Sequence, residues 1–227
     1  MKRSQIRERI ENALSLLGKY GFKTPCFGYW TLDEWRKMRD KLGTIRKTRL
    51  GWDVTDYGSG DFDKLGSVLF TLRNGMQNEP DVGTPYAEKY IIMQDGQELP
   101  MHFHYYKVED IINRAGGVLK IQVYNSLENG DVDYKGDVNV ETDGMMNVVP
   151  AGTFVEVTPV NSITIRPGMY HLFHAEGDII VGEVSKVNDD TTDNHFVDVG
   201  ERFAVVEEDE PVKYPLCNEY EELVFGD

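Results

Sequence analysis

Between residues 67 and 187 the chain keeps returning to one pattern, a short run of β-branched and aromatic residues closed by Gly, Pro or Asn. The runs are SVLFTLRNG at 67–75, KYIIMQDG at 89–96, GVLKIQVYN at 117–125, TFVEVTP at 153–159, SITIRPG at 162–168, MYHLFHA at 169–175 and DIIVGEVSKV at 178–187. Strands this short, punctuated this regularly, predict an antiparallel sandwich or barrel, so a mainly β fold is expected.

The stretch before them reads differently. Ile6, Ile10, Leu14 and Leu17 recur at helical spacing over residues 4–20, with Ser4 placed as an N-cap and Gly18 near the end. Thr31 followed by Glu34 is a capping box opening a second helix, whose stripe is Leu32, Trp35, Met38 and Leu42. Residues 1–50 are thus expected to form an N-terminal helical appendage, too small to fold well alone and packed on residues 51–227, a barrel with a C-terminal extension. The junction GWDVTDYGSGDFDKLG, starting at Gly51, is rich in Gly and Asp and reads as loop and turn, anchored to the core by Trp52, Tyr57 and Phe62. After residue 188 the chain becomes acidic and irregular. Its NDDTTDN cluster lacks the alternating spacing of a calcium loop.

A net charge of −15 would repel a phosphate backbone and argues against nucleic acid as a partner. No apolar run reaches the roughly 18 residues of a membrane span, and Glu8 and Glu11 interrupt what would have to be the apolar core of a signal peptide. A cytoplasmic protein is therefore expected. Cys26 and Cys217 are too few for a disulfide framework and read as buried free thiols.

The chemistry concentrates in GQELPMHFHYYKVEDIINRAG, Gly96 to Gly116. His102 and His104, one residue apart on an extended segment, project to the same side and can meet at one metal. A tight return of the chain brings Glu109 alongside as a carboxylate ligand. Two imidazoles and a carboxylate, with no thiolate, suit Mn²⁺, Fe²⁺, Co²⁺, Ni²⁺ or Zn²⁺. The best candidate for a fourth ligand is His171 in IRPGMYHLFHA, separated from the Pro167–Gly168 turn by two residues. His174, three residues further on, falls on the opposite strand face and is read as non-ligating, and His195, in the acidic loop, as solvent-exposed.

These two segments resemble the signature motifs of the cupin superfamily. The first matches throughout: Gly96, His102, His104, Glu109 and Gly116 stand at the family spacing. The second matches in part, because Arg166 stands where proline is usual and Ala175 where asparagine is usual. The resemblance implies a cupin jelly-roll β-barrel, which the strand count fits, and commonly a homodimer. Cupins with three His and one Glu include isomerases, dioxygenases and decarboxylases.

AEKYIIMQDGQELPMHFHYYKVEDIINRAGG, GEVSKVNDDTTDN and RFAVVEEDEP further resemble the cupin-type D-lyxose isomerases, over nearly the whole chain. That resemblance implies aldose–ketose isomerisation of free sugars, D-lyxose with D-xylulose and D-mannose with D-fructose, usually with Mn²⁺. Moving a proton between C1 and C2 through a cis-enediol needs a carboxylate base and a cation to hold charge on O1 and O2. Glu183, an acid in the apolar run DIIVGEVS, is the first candidate base, and Glu207 or Glu208 would serve if the C-terminal segment folds over the barrel mouth. Lys107 shares strand parity with Glu109 and would point at the metal, to bind sugar oxygens or relay a proton; Lys89 and Arg202 are further candidates for holding hydroxyls. An iron-dependent dioxygenase, a non-catalytic sugar-binding cupin and a cupin-type glucose phosphate isomerase stand as alternatives.

Overall fold

The structure, a computed structural model, describes residues 1–190, 192–197 and 199–226; Thr191 of the NDDTTDN cluster, Asp198 and Asp227 lie outside the described residues. Three helices come first: α1 (Arg3–Lys19), α2 (Leu32–Met38) and α3 (Gly43–Thr48). The stripe on α1 buries Ile6, Ile10, Ala13 and Leu17. Ser4 does not cap it. The N-cap is Lys2, two residues earlier, and Arg3 is drawn into the interior by Glu208 and Glu219, at 2.5 and 2.6 Å, while the Ser4 hydroxyl donates to Asp209 at 2.6 Å. On α2 the capping box forms, with the Thr31 N–H donating to Glu34 Oε2 at 2.8 Å.

The strands follow as β1 (Gly51–Thr55), β2 (Ser67–Met76), β3 (Glu79–Met93), β4 (Glu98–His104), β5 (Glu109–Ser126), β6 (Val132–Asp133), β7 (Val138–Thr142), β8 (Met145–Val149), β9 (Phe154–Val157), β10 (Ser162–Ile165), β11 (Met169–Lys186) and β12 (Asn194–Phe196); a short helix α4 (Tyr220–Leu223) comes last. All the strand ladders are antiparallel. The path runs β1-β2-β3-β11-β5-β10-β7-β8, with β4 on β11 and β12 on β4.

Two expected strands, 169–175 and 178–187, are one strand, β11. Its first half pairs with β4 and residues 118–125 of β5, its second with β3 and residues 109–116 of β5, across a register shift between Glu176 and Ile179. The pair can bend there because the facing residues lack side chains: a Cβ on Gly117 would stand 1.9 Å from the Glu176 carbonyl oxygen, and Gly116, at φ +102°, would meet that of Asp178 at 2.1 Å. Strands β3 and β5 likewise extend well upstream of the runs that predicted them.

The junction at Gly51 is not all loop. Gly51–Thr55 is β1, buried along its whole length. Trp52 and Val54 face the helices, where the Trp52 indole N–H donates to the Gly28 carbonyl at 2.8 Å, whereas Asp53 and Thr55 alternate to the other face. A strand whose inner side chains are polar loses the apolar signature of a core strand.

Two apolar clusters result. One joins α1, α2, the outer face of β1–β3 and the C-terminal segment through Trp35, Trp52, Phe70, Leu216 and Tyr220; the other fills the barrel with Ile91, Ile111, Ile121, Ile163, Phe173 and Val181. Side chains of this kind contribute about 1.5–3 kcal/mol each on burial. Cys217 lies in the first cluster, but Cys26 is exposed, in the turn before α2, so only one thiol is buried. Glu207 and Glu208 lie at the start of α1, where the Glu207 N–H donates to the Met1 carbonyl at 2.8 Å and Glu208 pairs with Arg3.

Candidate active site

His102 and His104 stand at the end of β4, and His171 on β11 is the direct ladder partner of His102. The ring centroids are 4.0 Å apart for His102–His171, 5.0 Å for His102–His104 and 5.5 Å for His104–His171. The backbone orients two of them: His102 Nδ1 lies 2.9 Å from the Pro100 carbonyl and His171 Nδ1 3.0 Å from that of Met169. A carbonyl only accepts, so each Nδ1 carries the proton and each Nε2 presents a lone pair inward. The Pro167–Gly168 turn is fastened to the same place, the Gly168 N–H donating to the His104 carbonyl at 3.0 Å.

Glu109, the first residue of β5, brings Oε1 to 3.4 Å from His104 Nε2 and 3.3 Å from His171 Nε2. Among the described residues neither nitrogen has a hydrogen-bond partner, although both are buried. Burial, then the two neighbouring imidazoles, pushes His102 well below its ordinary pKa, and burial with Lys107 lowers His104. Burial would raise the Glu109 carboxyl, but the Lys107 ammonium and His104 outweigh it and hold the group well below the usual carboxylate range. Neutral imidazoles with inward lone pairs beside an ionised carboxylate are the donor set a divalent cation needs, and the three histidines can hold a metal ion.

Lys107 is not on a strand, as its parity with Glu109 assumed. Residues 105–108 turn, and Asp193 holds the turn by accepting from the N–H groups of Tyr106 at 2.7 Å and Lys107 at 3.2 Å. The side chain still points inward. Its Nζ lies 2.9 Å from Glu109 Oε2 and 2.9 Å from Glu183 Oε1. Lys89 on β3 is the ladder partner of Glu183, and its Nζ reaches Glu183 Oε1 at 3.4 Å. Burial alone would raise the Glu183 pKa, but the two ammoniums more than offset it and keep the group ionised.

Arg202 closes another wall, with Nη2 at 2.8 Å from Asp53 Oδ2 and 3.2 Å from Asp190 Oδ1, while Nη1 has no hydrogen-bond partner among the described residues. These groups surround a cavity whose apolar wall includes Ile111, Phe173 and Phe196. Fixed polar groups beside an apolar wall are what a small polyhydroxylated ligand requires.

All the sequence candidates except the C-terminal glutamates line or adjoin this cavity; neither Glu207 nor Glu208 does. His174 faces away, against Glu98 at 3.4 Å. His195 is on β12 and half-buried, its Nδ1 3.1 Å from the Tyr105 hydroxyl, so it is not the solvent-exposed loop residue expected. Sequence reasoning missed Asp53, Asn188, Asp190 and Asp193. The W-D-V-T alternation was a usable signal for Asp53; the others come from an acidic segment with no local pattern, placed only when β12 pairs with β4.

Solved structures of L-ribose isomerases share this architecture. That of Cellulomonas parahominis with L-psicose superposes with a TM-score of 0.53 at 14% identity, and a variant of the Acinetobacter sp. DL28 protein with L-ribose at 0.57 and 13%, each covering 91% of this chain and 98% of the other. The fold is a cupin-like barrel with an N-terminal helix, of the kind sugar isomerases use. At the level of sequence, the family model for D-lyxose isomerase matches residues 1–220. The D-lyxose/D-mannose isomerase of Escherichia coli O157:H7 is 39% identical over 98% of this chain and 100% of its own length, and that of Serratia proteamaculans 38% over 97% and 98%. The chain belongs to the D-lyxose isomerase family and is a sugar isomerase that interconverts aldoses and ketoses. The dioxygenase and non-catalytic readings fall away.

Proposed function

We propose that the protein interconverts D-lyxose with D-xylulose and D-mannose with D-fructose, acting on free sugars, with a divalent metal, Mn²⁺ first among Co²⁺, Ni²⁺, Fe²⁺ and Zn²⁺. The ligands are His102, His104, Glu109 and His171. Once bound, the metal supplies Lewis-acid stabilisation of negative charge on the sugar oxygens.

The observation that carries the reading is the asymmetry of Glu183. Its hydrogen-bond donors converge on Oε1, and among the described residues none donates a hydrogen bond to Oε2. In the open-chain aldose Glu183 takes the proton from C2, the C–H electron pair becomes the C1–C2 double bond, and the carbonyl pair moves to O1, which gains a proton to give the cis-enediol. Return of the Glu183 proton to C1, with loss of the O2 proton, completes the ketose. Lys107 binds the reacting sugar oxygens and relays the hydroxyl proton; Lys89 and Arg202 hold hydroxyls. A free sugar is favoured over its phosphate because the cations at the cavity wall already face Glu109, Glu183, Asp53 and Asp190.

We also propose a cytoplasmic homodimer. Two unlinked cysteines fit a reducing compartment, and β8, an edge strand, leaves Met145, Met146 and Val148 64, 58 and 63% exposed, an apolar edge that pairing would cover. Light scattering and cell fractionation test these two points.

The activity is tested by loading metal-free protein with Mn²⁺ under anaerobic conditions and following D-xylulose formation from D-lyxose, with D-mannose, fructose and fructose phosphate as comparisons. Turnover without oxygen uptake is expected. No turnover of any free aldose by fully metallated protein would overturn the reading.

A further inference from the structure

Asn188, just beyond the end of β11, meets both ammoniums at the proposed base and one carboxylate of the cavity wall. Its Oδ1 accepts from Lys89 Nζ at 2.7 Å and Lys107 Nζ at 3.2 Å, the same two ammoniums that meet Glu183 Oε1. Its Nδ2 donates to Asp190 Oδ2 at 3.0 Å. The amide orientation is fixed by chemistry, because turning it over would set an NH₂ group against two cations and an oxygen against a carboxylate.

The Asn188 backbone is held equally firmly. Its N–H donates to Asn74 Oδ1 at 2.9 Å, and Asn74 Nδ2 donates back to the Asn188 carbonyl at 3.1 Å and to the Thr48 carbonyl at 3.3 Å. Asn74 is buried on β2 and does not line the catalytic cavity. It ties the segment after β11 to the end of α3.

We infer that Asn188 is a positioning residue that pins Lys89 and Lys107 to one oxygen of Glu183, leaving the other free to accept the carbon-bound proton, and that Asn74 positions Asn188 in turn. The inference rests on the reading of Glu183 as the base. A lysine ammonium is a point charge on a flexible stem, and nothing in the Glu183 carboxylate itself makes it prefer Oε1 to Oε2. Asn188 Oδ1 and Glu183 Oε1 flank both Nζ atoms: Lys89 sits between these two acceptors, and Lys107 between them and Glu109 Oε2. Remove the amide oxygen and Lys89, left with one contact at 3.4 Å, is free to swing across Oε2 and occupy the lone pair that the reaction needs, while Lys107 is left to Glu183 and Glu109 alone. The metal ligands and the Arg202 wall stay intact, so binding and turnover should separate.

The test compares Mn²⁺-loaded full-length wild type with Asn188→Ala, Asn188→Asp, Asn74→Ala and Glu183→Gln, using D-lyxose and recording kcat, KM, bound Mn²⁺ and melting temperature. Asn188→Ala is expected to lose about 10- to 100-fold in kcat, with KM within about threefold of wild type and full Mn²⁺ occupancy, the size of effect seen when a supporting residue lets a reacting group drift. Asn74→Ala, acting one step further out, should move kcat in the same direction by about three- to tenfold. Asn188→Asp keeps an acceptor for both ammoniums and should recover most of the loss even if its melting temperature falls. Wild-type kcat in Asn188→Ala, with Glu183→Gln inactive, overturns the inference while leaving the base in place; so does a kcat that follows melting temperature across the series. If Asn188→Ala does not fold, wild-type kcat in Asn74→Ala overturns it instead. Undiminished turnover by Glu183→Gln overturns the reading underneath, and the inference with it.

Discussion

His171 faces His102 directly across the β4–β11 ladder, with ring centroids 4.0 Å apart and each Nδ1 bound to a carbonyl of its own strand. Residues separated by more than sixty positions in the chain thereby become cross-strand neighbours with their lone pairs already aimed. If this pair grips the cation, His171→Ala should lose most bound Mn²⁺ and at least about 100-fold in turnover, because a ligand counts for no less than the groups that orient it. Metal analysis after gel filtration, alongside the rate, checks this; full Mn²⁺ occupancy in the variant would contradict it.

Glu183→Gln retains shape and loses the proton acceptor. A fall of about 10²–10⁴-fold in kcat is expected, with KM and metal content little changed, which is the range for a general base. Deuterium exchange from solvent into C2 of D-lyxose should disappear in parallel. A variant that still exchanges would place the base elsewhere.

Acid should destabilise the metal-free protein earlier than its carboxylates alone would. Burial and neighbouring positive charge depress His102 and His104 below their ordinary 6.5, so both bind protons more weakly folded than unfolded. Stability from a depressed folded pKa is complete above the unfolded value and is lost as pH falls through the window towards the folded one. The melting temperature of metal-free protein should therefore decline from about pH 6.5 downward, and Mn²⁺ affinity should fall over the same range because protons compete for the ligands. Thermal melts from pH 7.5 to pH 5.5 decide it, and a flat profile would count against neutral buried imidazoles.

Glycines at the two ends of the first histidine motif have different jobs. Gly96 has φ +78° with nothing near its missing Cβ, so Gly96→Ala should cost only backbone strain, about 1–2 kcal/mol. Gly116 has φ +102° and a carbonyl 2.1 Å from that position, so Gly116→Ala adds a clash within paired strands and should cost about 3 kcal/mol or more. Urea unfolding of the two variants would show equal losses if the bend of β5 against β11 did not need a bare backbone.

Arg3 is 2% exposed, whereas its partners Glu208 and Glu219 are 53 and 15% exposed. Arg3→Ala should cost about 3 kcal/mol, the low end for breaking a buried ion pair, because Glu208 keeps its water. Turnover at 25 °C should hardly change, since neither glutamate reaches the cavity. A large loss of kcat without a loss of stability would return Glu208 to consideration as a catalytic group.

The local signals were strong wherever one residue's neighbours in sequence are also its neighbours in space. Strand alternation placed His102 and His104 together, the Thr31–Glu34 box marked a helix start, and β-branched runs announced most of the sheet. They failed where a side chain answers to a distant partner. β1 was hidden because Asp53 and Thr55 turn inward to a polar wall, Ser4 lost its capping role to the burial of Arg3, and β11 was split at Gly177 although its two halves are one strand. The chain by itself therefore determined a β-rich protein with a His-x-His and Glu cluster and a second histidine turn. Only tertiary structure decided that Lys89, Lys107 and Asn188 meet around one oxygen of Glu183, because that meeting depends on the register of β3 against β11 and on an acidic loop that takes shape only when β12 returns to β4.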